Sequence, residues 1–235
     1  MAANPDVPII DGDDARRLRR RLVGELEAEG CADQRVLDAV ASVPRHVFTA
    51  GHGLAASYAN RPLPIGGGQT ISQPLVVAWM ADAANLDTDA NVLEIGTGSG
   101  YGAAVLSRLV GSVVSVERLA DLAETASWVL GQLGYANVEV HVGDGSLGWP
   151  AGAPYDAIVV TAGAPQVPSA LVDQLVDGGR LVVPVGVEAA QRLIRVTRLG
   201  SHTRTEDLGG VAFVPLVGEQ GWSPTRDGEL NPDER

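Results

Sequence analysis

Lysine is absent from this 235-residue chain: all 17 basic residues are arginine, set against 29 acidic ones, for a formal net charge of −12. That balance excludes a general affinity for phosphate backbones, which depends on clustered positive charge, so no nucleic-acid partner is expected. The one basic run, RRLRRR at Arg16 to Arg21, has acidic neighbours on both sides and reads as a solvated, ion-paired helix face. Cysteine occurs once, at Cys31, which excludes an internal disulfide, fits a reducing compartment and reads as a small buried side chain. No apolar run approaches the roughly eighteen residues of a membrane span, and the opening MAANPDVPIIDGDD lacks a secretion-signal pattern. The expectation is a cytoplasmic protein with no membrane partner. His46, His52, His141 and His202 show no ligand spacing, so no metal is expected.

With 45% apolar residues the chain can bury the core of one globular domain. Residues 13–50 carry helical periodicity, with Leu18, Leu22 and Leu26 on one stripe and a second segment that Pro44 ends. Residues 51–71 read as loop, and LPIGGGQTISQP, Leu63 to Pro74, has three glycines in a row that argue against a packed strand. Ser72 with Pro74 reads as the start of a helix over LVVAWMADAANL, with Ser72 as its N-cap. Beyond Asp89 apolar runs alternate with helical stretches: 91–96, 112–117, 138–143, 155–163 and 180–186, with helices expected at 101–110, 119–133 and 168–176. This predicts a mostly parallel, doubly wound α/β sheet, closed by antiparallel strands at RLIRVTRLG and GVAFVPLVG. Residues 1–88 are thus an N-terminal helical segment with a covering loop, 89–222 a nucleotide-binding core, and 223–235 a polar tail.

EIGTGSGYG, Glu94 to Gly102, follows the first strand of that core and opens a helix. Gly96, Gly98 and Gly100 permit a tight turn and close approach to a ligand, with free helix N–H groups behind them. From Gly98 the run also satisfies the dinucleotide fingerprint through Gly100 and Ala103, which keeps a nicotinamide oxidoreductase open. Glu117, ending the second strand, suits two ribose hydroxyls, and Asp144, in the Gly143–Gly145 turn, suits an exocyclic amine. Either acid could instead serve as a cap or turn residue. Glu94 beside the glycines suits an amino-acid ammonium better than a pyrophosphate, which favours S-adenosylmethionine. Ser146 misses the G-x-S-x-G elbow of a serine hydrolase.

EIGTGSGYG, SVVSVE, HVGDG and YDAIVVTAGAP resemble the class I methyltransferase series. PLPIGGGQTISQP, VPRHVF, LVDQLVDGGRLVVPVG and VAFVPLVGEQGW resemble the protein L-isoaspartate O-methyltransferases specifically, over residues 17–222. The resemblance implies a Rossmann-like three-layer αβα fold, S-adenosyl-L-methionine as cofactor and S-adenosyl-L-homocysteine as product. It implies methylation of the α-carboxyl of L-isoaspartyl residues in damaged proteins or peptides, with repair by way of a succinimide, in an enzyme expected to be a monomer. Ser72 is the implied catalytic residue. Gln69, Thr70 and Ile71 would hold the cofactor with Glu94, Gly96, Thr97, Gly98, Ser99, Gly100, Glu117, Gly143, Asp144 and Gly145. Thr70, Ser72, Ala164, Pro165, Val214, Pro215 and Val217 would meet the peptide, although Val217 stands where some relatives carry a hydroxyl. The alternatives are a related methyltransferase modifying a specific aspartate of a dedicated partner peptide, and a binding protein without turnover.

Overall fold

The computed structural model describes residues 11–31, 33–49, 51–187 and 190–223, so residues 1–10 and the expected tail from 224 onward lie outside the described residues. Helices α1 (Asp13–Ala28) and α2 (Gln34–Ser42) bury Leu22, Leu26, Val36 and Val40, and the Asp33 side chain caps α2 by accepting from Arg35 N. The arginine run on α1 is solvated and ion-paired at Arg16, Arg17 and Arg21, whereas Arg19 is ion-paired but buried. Arg19 is 8% exposed, donates to Asp11 Oδ2 at 2.8 Å and reaches Tyr58 Oη at 3.3 Å. Its position on the Leu22 and Leu26 face carries it inward, and the long stem packs while the head is paired.

After the short α3 (Leu54–Ser57), the glycine-rich stretch is a hairpin and not a loop: β1 (Leu63–Gly66) pairs antiparallel with β2 (Gln69–Ile71). Leu63 and Ile71, directly opposite each other and 4% exposed, anchor its root. Gly66, Gly67 and Gly68 take φ of +96°, +59° and +71° at its tip. Three successive left-handed residues explain the three glycines, because a Cβ there costs about 1–2 kcal/mol each. Arg45 fixes the approach to this hairpin: fully buried, it donates to Ser57 O (2.9 Å) and Arg61 O (3.3 Å) and lies 4.7 Å from the Tyr101 ring centroid. Helix α4 (Pro74–Ala84) starts with Pro74 in its first turn, but its N-cap is Gln73 with no side-chain cap bond. Ser72 lies one residue too early to cap it.

The central sheet has the order β5-β4-β3-β6-β7-β8-β9. Strands β3 (Asn91–Ile95), β4 (Ser112–Glu117), β5 (Val138–Val142), β6 (Tyr155–Val160) and β7 (Leu175–Val185) are parallel. From β3 the chain winds outward through β4 to β5, then returns to the other side of β3 with β6 and β7. The reversal beside β3 makes the carboxyl ends of β3, β4 and β6 the place where such sheets bind ligands. Helices α5 (Tyr101–Leu106) and α6 (Ala120–Gln132) join α1, α2 and α4 over one face, on which Val92, Ala157, Val159 and Val182 form a core. Leu93, Ile95, Ile158 and Leu181 point to the other face, covered by α7 (Ser169–Asp173) and short turns.

Strands β8 (Gln191–Leu199) and β9 (His202–Val211) close the sheet antiparallel, as the sequence predicts, but the last strand is displaced. It is formed by the polar stretch from His202, whereas the apolar GVAFVPLVG contributes only its first two residues to β9. A strand at the sheet edge is largely solvated and has no need of an apolar sequence. The apolar residues that follow cross back toward β6, where Gly163 N donates to Val214 O and Leu216 N to Gly163 O, both at 2.8 Å.

Candidate active site

Strand β3 alternates its side chains between the two cores, and Glu94 falls on the same face as Val92, where an apolar residue would be expected. Its side chain is 1% exposed. Ser115, its register partner on β4, donates to Glu94 Oε2 at 2.6 Å, and Thr97 Oγ1 lies 2.6 Å from Ser115 Oγ. Burial pushes the Glu94 carboxyl up to about 8; the Ser115 bond opposes that rise and the nearby Glu117 adds to it. A Cβ on Gly102, in the first turn of α5, would collide with Glu94 Oε1, so the glycine is what admits the carboxyl beneath the helix. A buried acid whose pKa is raised in this way and which faces a cavity has the chemistry to pair with a cation that restores its charge.

The loop after β3 is held from both neighbouring strands. Gly96, at φ +94°, has its amide on Val116 O at 2.8 Å, and Thr161 Oγ1 donates to Gly96 O at 2.8 Å and Ile95 O at 3.0 Å. A side chain at Gly96 would run into the Thr161 hydroxyl. Glu117 Oε2 accepts from Gly98 N and Oε1 from Leu119 N, both at 2.9 Å. Each of those oxygens retains a further lone pair for a hydroxyl of a ligand. Gly100 begins α5 in the left-handed region, against Ala126 and Leu130 of α6.

The hairpin is folded down on this loop, with Ile65 Cδ1 and Leu119 Cδ1 within 3.3 and 3.0 Å of where side chains at Gly98 and Gly67 would begin. Two adjoining cavities lie under it. The inner one, about 520 Å³ including its opening to solvent, has Thr70, Ile71 and Ser72 on one wall and Glu94, Thr97 and Ser99 on the other. The outer one, about 560 Å³, runs past Gln69, Thr70, Glu117 and Gly145 to Val214, Pro215 and Val217. Gly96 and Gly98 line both. A broader groove of about 1200 Å³ leads away from Thr70 and Ser72 over the ends of β8 and β9. Half-buried Ser72 has no hydrogen-bond partner for its hydroxyl among the described residues.

Comparison with known proteins adds a lineage to this geometry. The family model described as Protein-L-isoaspartate(D-aspartate) O-methyltransferase matches residues 17–221. The chain belongs to that family. The protein-L-isoaspartate O-methyltransferase 2 of Pelobacter propionicus is 58% identical over 200 residues, 84% of this chain and 89% of that protein. A solved protein-L-isoaspartate O-methyltransferase superposes with a TM-score of 0.80 at 33% identity, covering 86% of this chain and 67% of its own. A Plasmodium falciparum beta-aspartate methyltransferase, solved in complex with S-adenosyl-L-homocysteine, gives a TM-score of 0.73 over 85% of this chain and 98% of its own; at 22% identity that likeness shows the fold.

Set against the sites the methyltransferase resemblance implies, the structure brings together Gln69, Thr70, Ile71, Ser72, Glu94, Gly96, Thr97, Gly98, Ser99, Glu117, Gly145, Val214, Pro215 and Val217 around the two cavities. Gly100 acts beneath them as the hinge into α5. Gly143 packs near Trp149 and Val116 outside both linings. Asp144 is taken up by the turn and by a distant segment: Oδ1 accepts from Ser146 N (2.9 Å) and Oγ (2.7 Å), and Oδ2 from Glu219 N at 2.7 Å. Ala164 is fully buried, bridged to Val185, and Pro165 is exposed away from these cavities. Sequence reasoning missed Thr161 and Ser115, although Ser115 breaks the apolar pattern of SVVSVE opposite Glu94. It also missed Gln191, whose side chain clamps Phe213 through both backbone groups, at 3.0 and 2.7 Å.

Proposed function

We propose that Ser72 and Glu94, on opposite walls of the inner cavity, are the substrate and cofactor ends of the methyltransferase site in this isoaspartate methyltransferase. The enzyme methylates L-isoaspartyl residues in proteins with S-adenosyl-L-methionine as donor. The observation that carries the assignment is the pairing, across one cavity, of a buried carboxyl lacking a cation with a hydroxyl lacking a partner among the described residues. The residues present fit the cofactor: Glu94 suits its ammonium, the glycines leave space where side chains would stand, and Glu117 has acceptor capacity for ribose hydroxyls.

S-adenosyl-L-methionine, when bound, supplies an electrophilic methyl group on a sulfonium sulfur. The substrate's own carboxylate is ionised at neutral pH, so this chain has no general base to provide. Ser72 donates a hydrogen bond that orients the carboxylate, leaving one oxygen free to attack. Thr70 and Ile71, beside it on β2, with Ile65 across the hairpin, exclude water and leave that oxygen poorly solvated. Val214, Pro215 and Val217 form an apolar flank for the peptide. The same reading takes residues 1–88 and 89–222 as one functional unit, since the hairpin and α4 supply one wall of the site and the sheet the other. At a net charge of −12 it takes the enzyme as a cytoplasmic monomer with no nucleic-acid partner.

The decisive experiment gives labelled S-adenosyl-L-methionine and matched peptides, differing only in isoaspartate against aspartate, to the enzyme and measures base-labile methanol. Transfer confined to the isoaspartyl peptide is expected. Transfer to the aspartyl peptide alone, or cofactor binding with neither peptide methylated, would instead point to a dedicated partner.

A further inference from the structure

The groove that opens from Thr70 and Ser72 is lined by polar or apolar uncharged side chains with one exception. Among the described residues that line it, Arg192 alone carries a formal charge, and that charge is positive in a chain of net −12. Arg192 is the second residue of β8, in register with Gly210 on β9, and its side chain is 55% exposed. Its Nε donates to both Asp207 oxygens, at 3.1 and 3.0 Å, while both Nη groups make no hydrogen bond among the described residues. Asp207 is held in turn by Gly209 N at 3.0 Å, and it does not line the groove. The guanidinium is therefore oriented from behind and offers its two-pronged edge, the geometry that matches a carboxylate. Gly210 places no side chain in front of it, with Arg192 Nη1 lying 3.8 Å from where a Cβ would be.

We propose that Arg192 is a specificity-determining residue, which makes the enzyme prefer isoaspartyl segments carrying a second carboxylate, an aspartate or glutamate side chain, close to the isoaspartyl residue. This rests on the reading of Ser72 as the substrate end of the site. An acidic segment approaching a protein of this net charge is repelled at long range, so its recognition depends on a local cation on the path it must take. Arg192 stands on that path. Pairing it with the methyl-accepting carboxylate itself would dampen the nucleophile, so the charge is suited to a neighbouring residue of the substrate instead.

The test uses the full-length enzyme and three sets of isoaspartyl peptides, with alanine, glutamate or lysine placed singly at each position up to three residues on either side. At low salt, kcat/KM is expected to be about two- to fivefold higher for the best glutamate peptide than for alanine, the range of a partly exposed ion pair, and lower for lysine. The glutamate preference is expected to fall toward one in Arg192→Gln and to invert toward lysine in Arg192→Glu. High salt is expected to flatten it in the wild type. A variant damaged only in its folding would slow all three peptides equally and leave the ratio standing, and a ratio that survives Arg192→Gln overturns the proposal. So does a wild type that methylates the alanine peptide without preferring glutamate anywhere. If no isoaspartyl peptide is methylated, the reading of the site itself fails, and this inference with it.

Discussion

Replacing Glu94 by glutamine should make the free enzyme more stable while weakening its cofactor site. The carboxyl sits 1% exposed with its pKa pushed up to about 8, from an ordinary 4.5, chiefly by burial. In the unfolded chain it ionises near 4.5, and in the folded chain only near 8, so between those values the unfolded state holds fewer protons than the folded one. Stability contributed by the protonated acid is complete below about 4.5 and is lost as pH rises through 8. A rise of that size corresponds to a loss on the order of 5 kcal/mol by pH 8. The carboxamide of Glu94→Gln would keep an acceptor for Ser115 and carry no charge at any pH. Urea unfolding of the cofactor-free proteins should show similar stabilities near pH 4.5, with the variant gaining progressively until about pH 8 and no further. Calorimetry adds a second reading. With its pKa pushed up to about 8, the free carboxyl is largely protonated at pH 7, so binding of S-adenosyl-L-homocysteine to the wild type should release a proton, seen by comparing buffers of different ionisation enthalpy. That release should vanish in the variant as its affinity drops. A stability gap that is flat with pH, or proton release that persists in the variant, would refute the electrostatic argument.

Ser72→Ala should lower kcat/KM by about ten- to hundredfold, the worth of a hydrogen bond to a charged group, while leaving Tm unchanged, because Gln73 and not Ser72 occupies the N-cap of α4. An equal fall in stability would return Ser72 to a structural role. Gly67→Ala puts a Cβ at φ +59° within 3.0 Å of Leu119 Cδ1. The left-handed strain of about 1–2 kcal/mol should open the hairpin tip, raise the cofactor Kd by about five- to thirtyfold and speed proteolysis at the three tip glycines, with little change in global unfolding. Asp144→Ala removes the acceptor for Ser146 and Glu219 and should cost about 1–3 kcal/mol of stability. Full stability with loss of adenosine binding would show that the carboxylate serves the ligand first.

Most of the parallel half was legible because β3, β4 and β6 are buried on both faces and appear as largely apolar runs, whereas β5, at the sheet edge, is half-exposed and reads VEVHV. The same logic explains where reading failed. β9 is an edge strand, so its sequence is polar, and the apolar run after it meets the segment just beyond β6 through the isolated Gly163–Pro215 bridge, which leaves no periodic trace. The hairpin is too short to show alternation, and its glycines serve a tip of three left-handed residues, which composition alone cannot separate from a mobile loop. At the site, the placing of the glycines, Glu94 and Glu117 beside the cavities follows from spacing because each lies within a few residues of its own strand. The turn bond of Asp144 to Ser146 is local and legible in the same way, but its bond to Glu219 N, 75 positions later, is not.

The two walls of the site differ in how freely they can change. The cofactor wall is built on contiguous strand ends, locked by Ser115, Thr161 and close glycine contacts, and a side chain added at Gly96 or Gly102 meets the Thr161 hydroxyl or the Glu94 carboxyl. The opposite wall is assembled from the hairpin, the ends of β8 and β9 and the segment at 212–217, joined by few bonds, of which the Gln191 clamp on Phe213 is one. Loosening that clamp by Gln191→Ala should shift the groove past Ser72 without touching Glu94. The expected signature is a raised KM for peptide with an unchanged Kd for S-adenosyl-L-homocysteine. A parallel loss of cofactor affinity would mean that the two walls are mechanically coupled, and that substrate preference cannot be retuned without cost to the methyl-donor site.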